Sequence, residues 1–393
     1  MRSHEPQLNR EQLETTTLFI ASDLHYLSPE LTDHGTFFQE LIRNGDGKAM
    51  EYCEEVTDAF VQQVIAQSPD ALILSGDLTF NGARLSHTAL AAKLLEIENA
   101  DIPVLILLGN HDLENTSAAA FHVDGYTLTD SISALQFAEI YGAFGLDDAV
   151  SRDSASLSYI AQLKPELRVL MLDVNTVSSP GALTGETLQW VENQLSDAAD
   201  QGINVLAVSH QNLLRHNSLF FYDFVIENNE PLLELYEKYG VICNLSGHMH
   251  IQHISQSENG LTEIASSALI VSPNQYGVLT LEGTSAEYRT EQVMVSLPGD
   301  VSFSDYAHAF MWETAYRQAA AELPEDAPDA DELAEFFASI NTAYVSGRMD
   351  TAAWDDAAFQ RWKDQSPFVY AYLQSLFSDG FHNHTETTFS IER

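Results

Sequence analysis

The chain has little cysteine, little positive charge and no long apolar run. Cys53 and Cys243 are its only cysteines, and they match no zinc or redox spacing, which excludes a thiolate-based centre. Cys243 is expected inside a strand as a small apolar residue, and Cys53 on a helix. Lys and Arg total 17 against 58 Asp and Glu, a formal net charge of −41, with lysine confined to Lys48, Lys93, Lys164, Lys238 and Lys363. Such a surface repels polyanions and argues against a nuclease or a binder of anionic membranes. The charge as a whole reads as solubility or adaptation to a salty or acidic habitat. No stretch of about twenty apolar residues occurs, so no membrane span is expected. The opening MRSHEPQLNREQLETT lacks the apolar core of a signal peptide. The compartment is therefore cytoplasmic by default, and extracellular or in the cell envelope if an export segment has been removed.

What the chain does have is a set of short apolar runs that each stop on polar residues. Val104–Asp112 reads VLILLGNHD: too short for a free-standing helix, flanked by Pro103 and Gly109, it reads as a strand buried on both faces. It ends on Asn110, His111 and Asp112, at the carboxyl end of a strand, where open α/β sheets bind ligands. Four further runs behave alike. Thr17–Ser22 leads into Asp23-Leu24-His25, Ala71–Ser75 into Gly76-Asp77, Val205–Ser209 into His210, and Val241–Ser246 into Gly247-His248-Met249-His250. Each of these residue types offers an oxygen or nitrogen donor to a divalent metal. One such histidine alone would read as a satisfied half-buried side chain; seven donors at five strand ends read as ligands. The i, i+2 spacing of Asp23/His25 and of His248/His250 points both side chains the same way only on a strand or extended loop.

Between these ends the pattern alternates strand and helix. Helices are expected over 49–67, 84–99, 131–144 and 185–197, and strands over 168–175, 203–209 and 241–246, followed by β-rich runs at 261–266, 276–282 and 286–295. The segment Leu27–Lys48 reads as a long loop at the rim of the site. The strands carrying Asp23, Asp77 and Asn110 are expected side by side and parallel. Past Pro298-Gly299-Asp300 the strand signal ends. Phe303, Tyr306 and Phe310 fall on one helix face, Leu333, Phe336, Phe337, Ile340 and Tyr344 on a second, and Phe368, Tyr372 and Leu376 on a third. The organisation expected is therefore a motif-bearing α/β domain over 1–299 and a small all-α domain over 300–393. The latter carries no motif residue and is expected to shape the site's rim or an oligomer contact.

In order, the motifs D-x-H, G-D, G-N-H-D, H and G-H-x-H make the chain resemble the calcineurin-like metallophosphoesterases over about Thr17–Val295. SDLHYLSPELTD, NGDGK, SGDLTFNG and the appended helices resemble a bacterial branch of class III cyclic-nucleotide phosphodiesterases with a carboxyl-terminal helical domain. The resemblance implies a four-layer αββα sandwich of two mixed β-sheets flanked by helices. It also implies two first-row metal ions, with Mn, Fe or Zn expected from the O and N donors. Asp77 would bridge them, Asp23, His25 and His250 completing one and Asn110, His210 and His248 the other. His111 would stabilise the phosphorus and protonate the leaving oxygen, with Asp112 orienting it. The implied activity is hydrolysis of small phosphodiesters, cyclic nucleotides first, by in-line attack of a metal-bridging hydroxide. Phosphomonoester hydrolysis is the nearest alternative, and a non-catalytic scaffold is disfavoured because all the ligands are present. Nucleic-acid polymers are not expected as partners, and nothing in the chain sets its oligomeric state. Many relatives carry paired histidines where this chain has Ser209-His210-Gln211, so the second of the pair is missing. His34, His87, His122, His216 and His253 match no motif and are expected at the surface or rim.

Overall fold

The computed structural model describes residues 12–299, 301–324, 327–351, 354–377 and 380–391. Most of the expected amino-terminal arm, and Asp300 of the expected linker, lie outside the described residues. Two mixed sheets form the centre. The first has six strands, in the order Glu386–Ser390, Ser285–Gln292, Gln275–Gly283, Leu13–Ala21, Ala71–Ser75 and Val104–Leu107. The last three are parallel, as the alternation of strand and helix requires. The second sheet has seven strands, and its parallel core runs Thr262–Ala265, Cys243–Ser246, Asn204–Ser209 and Leu167–Leu172.

The layering follows from side-chain alternation. In the strand Asn204–Ser209, Leu206 and Val208 enter the core shared with the first sheet, whereas Val205 and Ala207 enter a second core. Val169 and Met171 against Leu170 and Leu172 divide in the same way on the neighbouring strand. The helices Gly185–Asp200 and Glu230–Lys238 cover that second core through Val191, Leu195, Leu232 and Tyr236. The helices Cys53–Gln67 and Arg84–Glu98 bury Val56, Phe60, Val64, Leu90, Leu94 and Ile97. The result is the expected αββα sandwich, and the expected helix faces are the buried ones.

Three local readings change. The presumed loop Leu27–Lys48 contains a helix, Thr36–Arg43, that buries Phe38 and Ile42 one turn apart; eight residues are too few for a helical period to stand out in sequence. In the carboxyl-terminal region, the helices Phe303–Ala321, Ala330–Val345 and Pro367–Leu376 form as expected, and a further helix, Asp356–Gln365, lies between the last two. Phe368, however, is 64% exposed and belongs to no core. After the last helix the chain returns to the first sheet, where Glu386–Ser390 pairs antiparallel with Ser285–Gln292. Its ETTFS sequence contains strand formers, but with Phe389 the only buried position it shows no apolar alternation.

The helical region is stitched to the sheets elsewhere too. Gln252 N–H donates to the Val345 carbonyl at 3.0 Å and Ile254 N–H to His384 Nδ1 at 3.1 Å. From the helix Phe303–Ala321, Arg317 donates to the Arg43 carbonyl at 2.6 Å and Gln318 to the Gly45 carbonyl at 3.1 Å.

Candidate metal centre

The five motif ends meet where the parallel strands of both sheets terminate. Strand pairing stops at Ala21, Ser75 and Ser246, and the polar residues lie in the turns just beyond. There Asp23, His25, Asp77, His248 and His250 all take positive φ, between 44° and 68°. That left-handed backbone is costly for residues with a side chain, and such strain gathers at functional sites. The i, i+2 pairs therefore converge through left-handed turns and not through an extended pleat, which corrects the geometric basis of the sequence reading. The turns run alongside one another: Asp23 N–H donates to Gly76 O and His25 N–H to Asp77 O, both at 3.0 Å. Two motif glycines are set by close approach. A Cβ on Gly109 would collide with Asp77 and the His210 ring, and one on Gly247 with Ser22 and Asp23.

Two groups of donors result, joined by Asp77. Asp23, His25, Asp77 and His250 converge within 4.8 Å of one another, and so do Asp77, His210 and His248. The two carboxylate oxygens of Asp77 divide between them. Oδ2 lies 3.8 Å from His25 Nε2, and Oδ1 lies 3.4 Å from His210 Nε2. Asn110 brings its Oδ1 to 3.1 Å from the same His210 nitrogen.

The far side of three imidazoles is pinned, which fixes the near side. His210 Nδ1 bonds to the Ser75 carbonyl at 2.9 Å, and His248 Nε2 to the Asp223 carbonyl at 3.0 Å. A carbonyl only accepts, so a proton sits on those nitrogens and the opposite ring nitrogen is the one turned toward the centre. His250 Nδ1 lies 3.3 Å from Asp46 Oδ2, and Asp46 also binds Lys48 at 2.6 Å. His250 Nε2 then faces His25 Nε2 at 3.0 Å and Asp23 Oδ1 at 3.2 Å. Asp23 Oδ1 is buried and takes no hydrogen bond, and His25 Nε2, the nitrogen on the centre's side of that ring, lies 3.9 Å from it and 3.8 Å from Asp77 Oδ2. Carboxylate and imidazole donors converging on one buried point call for a shared positive charge. The donor set thus fits cations.

The electrostatics agree. Burial alone would lower the pKa of His210, but the Asp77 carboxylate beside it pushes it up to about 9. His250 also rises to about 9 against burial and Lys48, through Asp23 and Asp46. Burial would raise Asp77, yet the charges of His210, His111 and His25 hold it well below the usual carboxylate range.

The other expected site residues divide. His111 stands at the opening, half-exposed, with its N–H on Asp77 Oδ1 at 2.9 Å and its ring Nδ1 3.2 Å from the Phe80 carbonyl. Asp112 does not orient that ring. Its buried carboxylate instead accepts from the backbone N–H groups of Leu78, Thr79 and Gly109 at 3.1, 3.1 and 2.8 Å. The orienting group is the Phe80 carbonyl, and Asp112 ties the Asp77 turn to the Asn110 turn. Gln211, at the position of the missing second histidine, forms a reciprocal amide pair with Asn175 at 2.8 Å in both directions.

His34 and His122 are exposed as expected, but His87, His216 and His253 are buried. His87 bonds to Tyr141 Oη and the Asp112 carbonyl, both at 3.0 Å, and burial pushes its pKa down to about 3. His216 bridges His253 at 3.0 Å and Glu263 at 3.3 Å. Glu263 also accepts from the N–H groups of Leu213 and Leu214 and so secures the segment that follows His210. Sequence reasoning missed Asp46 and Glu263. The one available signal was the run Asn44-Gly45-Asp46-Gly47-Lys48.

Residues 16–252 match the calcineurin-like phosphoesterase family. The chain belongs to that family. Its His/Asp cluster is suited to a dinuclear metal site. Residues 301–383 match the C-terminal domain of cyclic nucleotide phosphodiesterase. A probable cyclic nucleotide phosphodiesterase of Ruthia magnifica is 25% identical over 193 residues, covering 48% of this phosphoesterase and 66% of that protein. One from Vesicomyosocius okutanii is 28% identical over 182 residues, covering 46% and 62%. The matches thus span just under two thirds of these curated relatives. A dimetal phosphatase from Danio rerio shares the fold, with a TM-score of 0.52 at 15% identity over 72% of this chain and 98% of that one. Among the described residues, no helix is long and apolar enough to cross a membrane.

Proposed function

We propose that this phosphoesterase is a phosphodiesterase acting on small diesters, cyclic nucleotides foremost, with a catalytic unit over 12–299 and a helical unit over 301–383 that forms one wall of the site. Asp23, His25, Asp77 and His250 would hold one cation, and Asp77, Asn110, His210 and His248 the other. The observation that carries this reading is Asp77, whose two oxygens face two separate sets of imidazoles. When bound, such cations polarise the phosphoryl group and make water nucleophilic near neutral pH.

The protein's own groups supply orientation and the proton. Asp112 fixes the turns of Asp77 and Asn110 to each other, so both oxygen donors keep their aim. The Phe80 carbonyl holds the His111 proton on Nδ1, which leaves Nε2 free to carry a second proton toward the leaving oxygen. A diester fits better than a polymer because the surface is strongly anionic. Support for nucleotides comes from the two relatives and the match of the helical region. The test is a panel of cyclic nucleotides, aryl phosphodiesters and phosphomonoesters offered to protein reconstituted with Mn, Fe or Zn. Turnover of diesters well above monoesters is expected; the reverse order would make the protein a phosphomonoesterase.

A further inference from the structure

Beside His248 and His250 lies a cavity of about 350 Å³ with one wall built by the helical region, within the usual range for small-molecule pockets. An aromatic stripe leads into it from the metal centre. The Phe224 ring lies 5.3 Å from that of His248, Phe220 lies 5.6 Å from Phe224, and Tyr372 lies 5.8 Å from Phe220. Two amides join the stripe from the helices. The Tyr372 hydroxyl donates to Asn341 Oδ1, which leaves Asn341 an NH₂ donor to offer. Gln318 spends its Nε2 on the Gly45 carbonyl at 3.1 Å, which leaves Oε1 as an acceptor.

Charge narrows the occupant further. Among the described residues lining the cavity there is no lysine or arginine, and the one carboxylate, Asp46, is already engaged by Lys48 and His250. A second phosphate or a carboxylate would find no partner there. Flat aromatic faces, one donor and one acceptor complement an uncharged planar ring with a hydrogen-bonding edge.

We propose that this cavity receives the nucleobase of the substrate, with Phe220 and Phe224 as stacking faces and Asn341 and Gln318 reading its edge. The inference rests on the phosphodiesterase reading above and adds that the helical region sets specificity. Asn341 and Phe220 are specificity-determining residues, remote from the phosphorus.

The test uses the full chain loaded with metal, and compares 3′,5′-cyclic AMP with methyl 4-nitrophenyl phosphate, whose methyl group cannot fill the cavity. In Phe220→Ala and Asn341→Leu, the ratio of kcat/KM for the nucleotide to that for the methyl ester should fall on the order of tenfold or more, the range for one stacked base. The loss should lie in KM. Asn341→Asp keeps the acceptor for Tyr372 while removing the donor, and guards against a misfolded leucine variant. By calorimetry, adenosine monophosphate should bind the wild type at least about tenfold more tightly than methyl phosphate, a margin of one stacked base. Equal losses on both esters, or equal affinity for the two monophosphates, would overturn the proposal and leave the phosphodiesterase reading standing. A loaded wild type that hydrolyses neither ester would sink that reading, and this proposal with it.

Discussion

The two halves of the metal centre are held in different ways. The half made by Asp23, His25 and His250 is backed by a carboxylate, Asp46, on a loop that the helix Phe303–Ala321 grips through Arg317 and Gln318. The half made by Asn110, His210 and His248 is backed by carbonyls, those of Ser75 and Asp223. A carboxylate behind an imidazole raises its basicity more than a carbonyl does and can be removed by one substitution. The comparison teaches that the helical region, which contributes no candidate ligand, reaches into one half through Asp46. It also holds the segment that follows His210, through buried Asn217, whose amide donates to Tyr344 Oη at 3.0 Å and Ser375 Oγ at 3.1 Å.

The largest effect should come from the group the halves share. Asp77→Asn should drop metal content below one ion per chain and abolish measurable turnover; elemental analysis showing both ions retained would break the picture of a common bridge. His111 belongs to neither half. His111→Ala should leave metal content unchanged and slow diesters with alkyl leaving groups by on the order of 10²–10⁴-fold, with little loss for nitrophenol esters. Equal losses for both leaving groups would remove its role as proton donor.

Asp46→Asn should sharpen the comparison most directly. It should weaken one of the two cations by roughly 10–100-fold, the usual cost of losing such a partner, and spare the other. Two cations weakened alike in a chelator titration would show that the halves are not independently braced. A smaller effect lies outside both halves, at His87. Burial holds its folded pKa near 3, below the ordinary value of 6.5, so the unfolded chain takes up a proton first as pH falls. Its contribution to stability is full above pH 6.5 and is lost progressively as pH falls toward 3. By linkage, His87→Gln should remove roughly 2 kcal/mol of the stability lost between pH 6.5 and 5, read from denaturant midpoints of variant and wild type at both values.

The candidate ligands were legible because each follows a buried apolar run, and residues such as Asp77 and His210 have no other reason to be at a strand end. The supports were not legible, for physical reasons. Asp46 and Glu263 are two among 58 acidic residues, and nothing local separates a carboxylate facing a histidine from one facing water. The Phe80, Ser75 and Asp223 carbonyls belong to the backbone and leave no mark in the sequence. Asp112 was placed correctly beside His111 in the chain, but its side chain turns inward to three N–H groups. The sandwich was legible from continuous apolar runs such as Val205–Ser209, buried on both faces; the strand Glu386–Ser390 was not, because only Phe389 along it is buried.

That last strand has a consequence for how the protein is made. Until the ribosome has passed residue 390, Ser285–Gln292 stands at the border of the first sheet with an open row of N–H and C=O groups. Nascent chains, and any fragment cut within the helical region, would display that row to one another. Glu386–Ser390 therefore replaces an eight-residue border strand by a five-residue one, a shorter template for unwanted pairing, and a chain stopped near Leu297 should self-associate through the longer edge even where its metal ligands are intact.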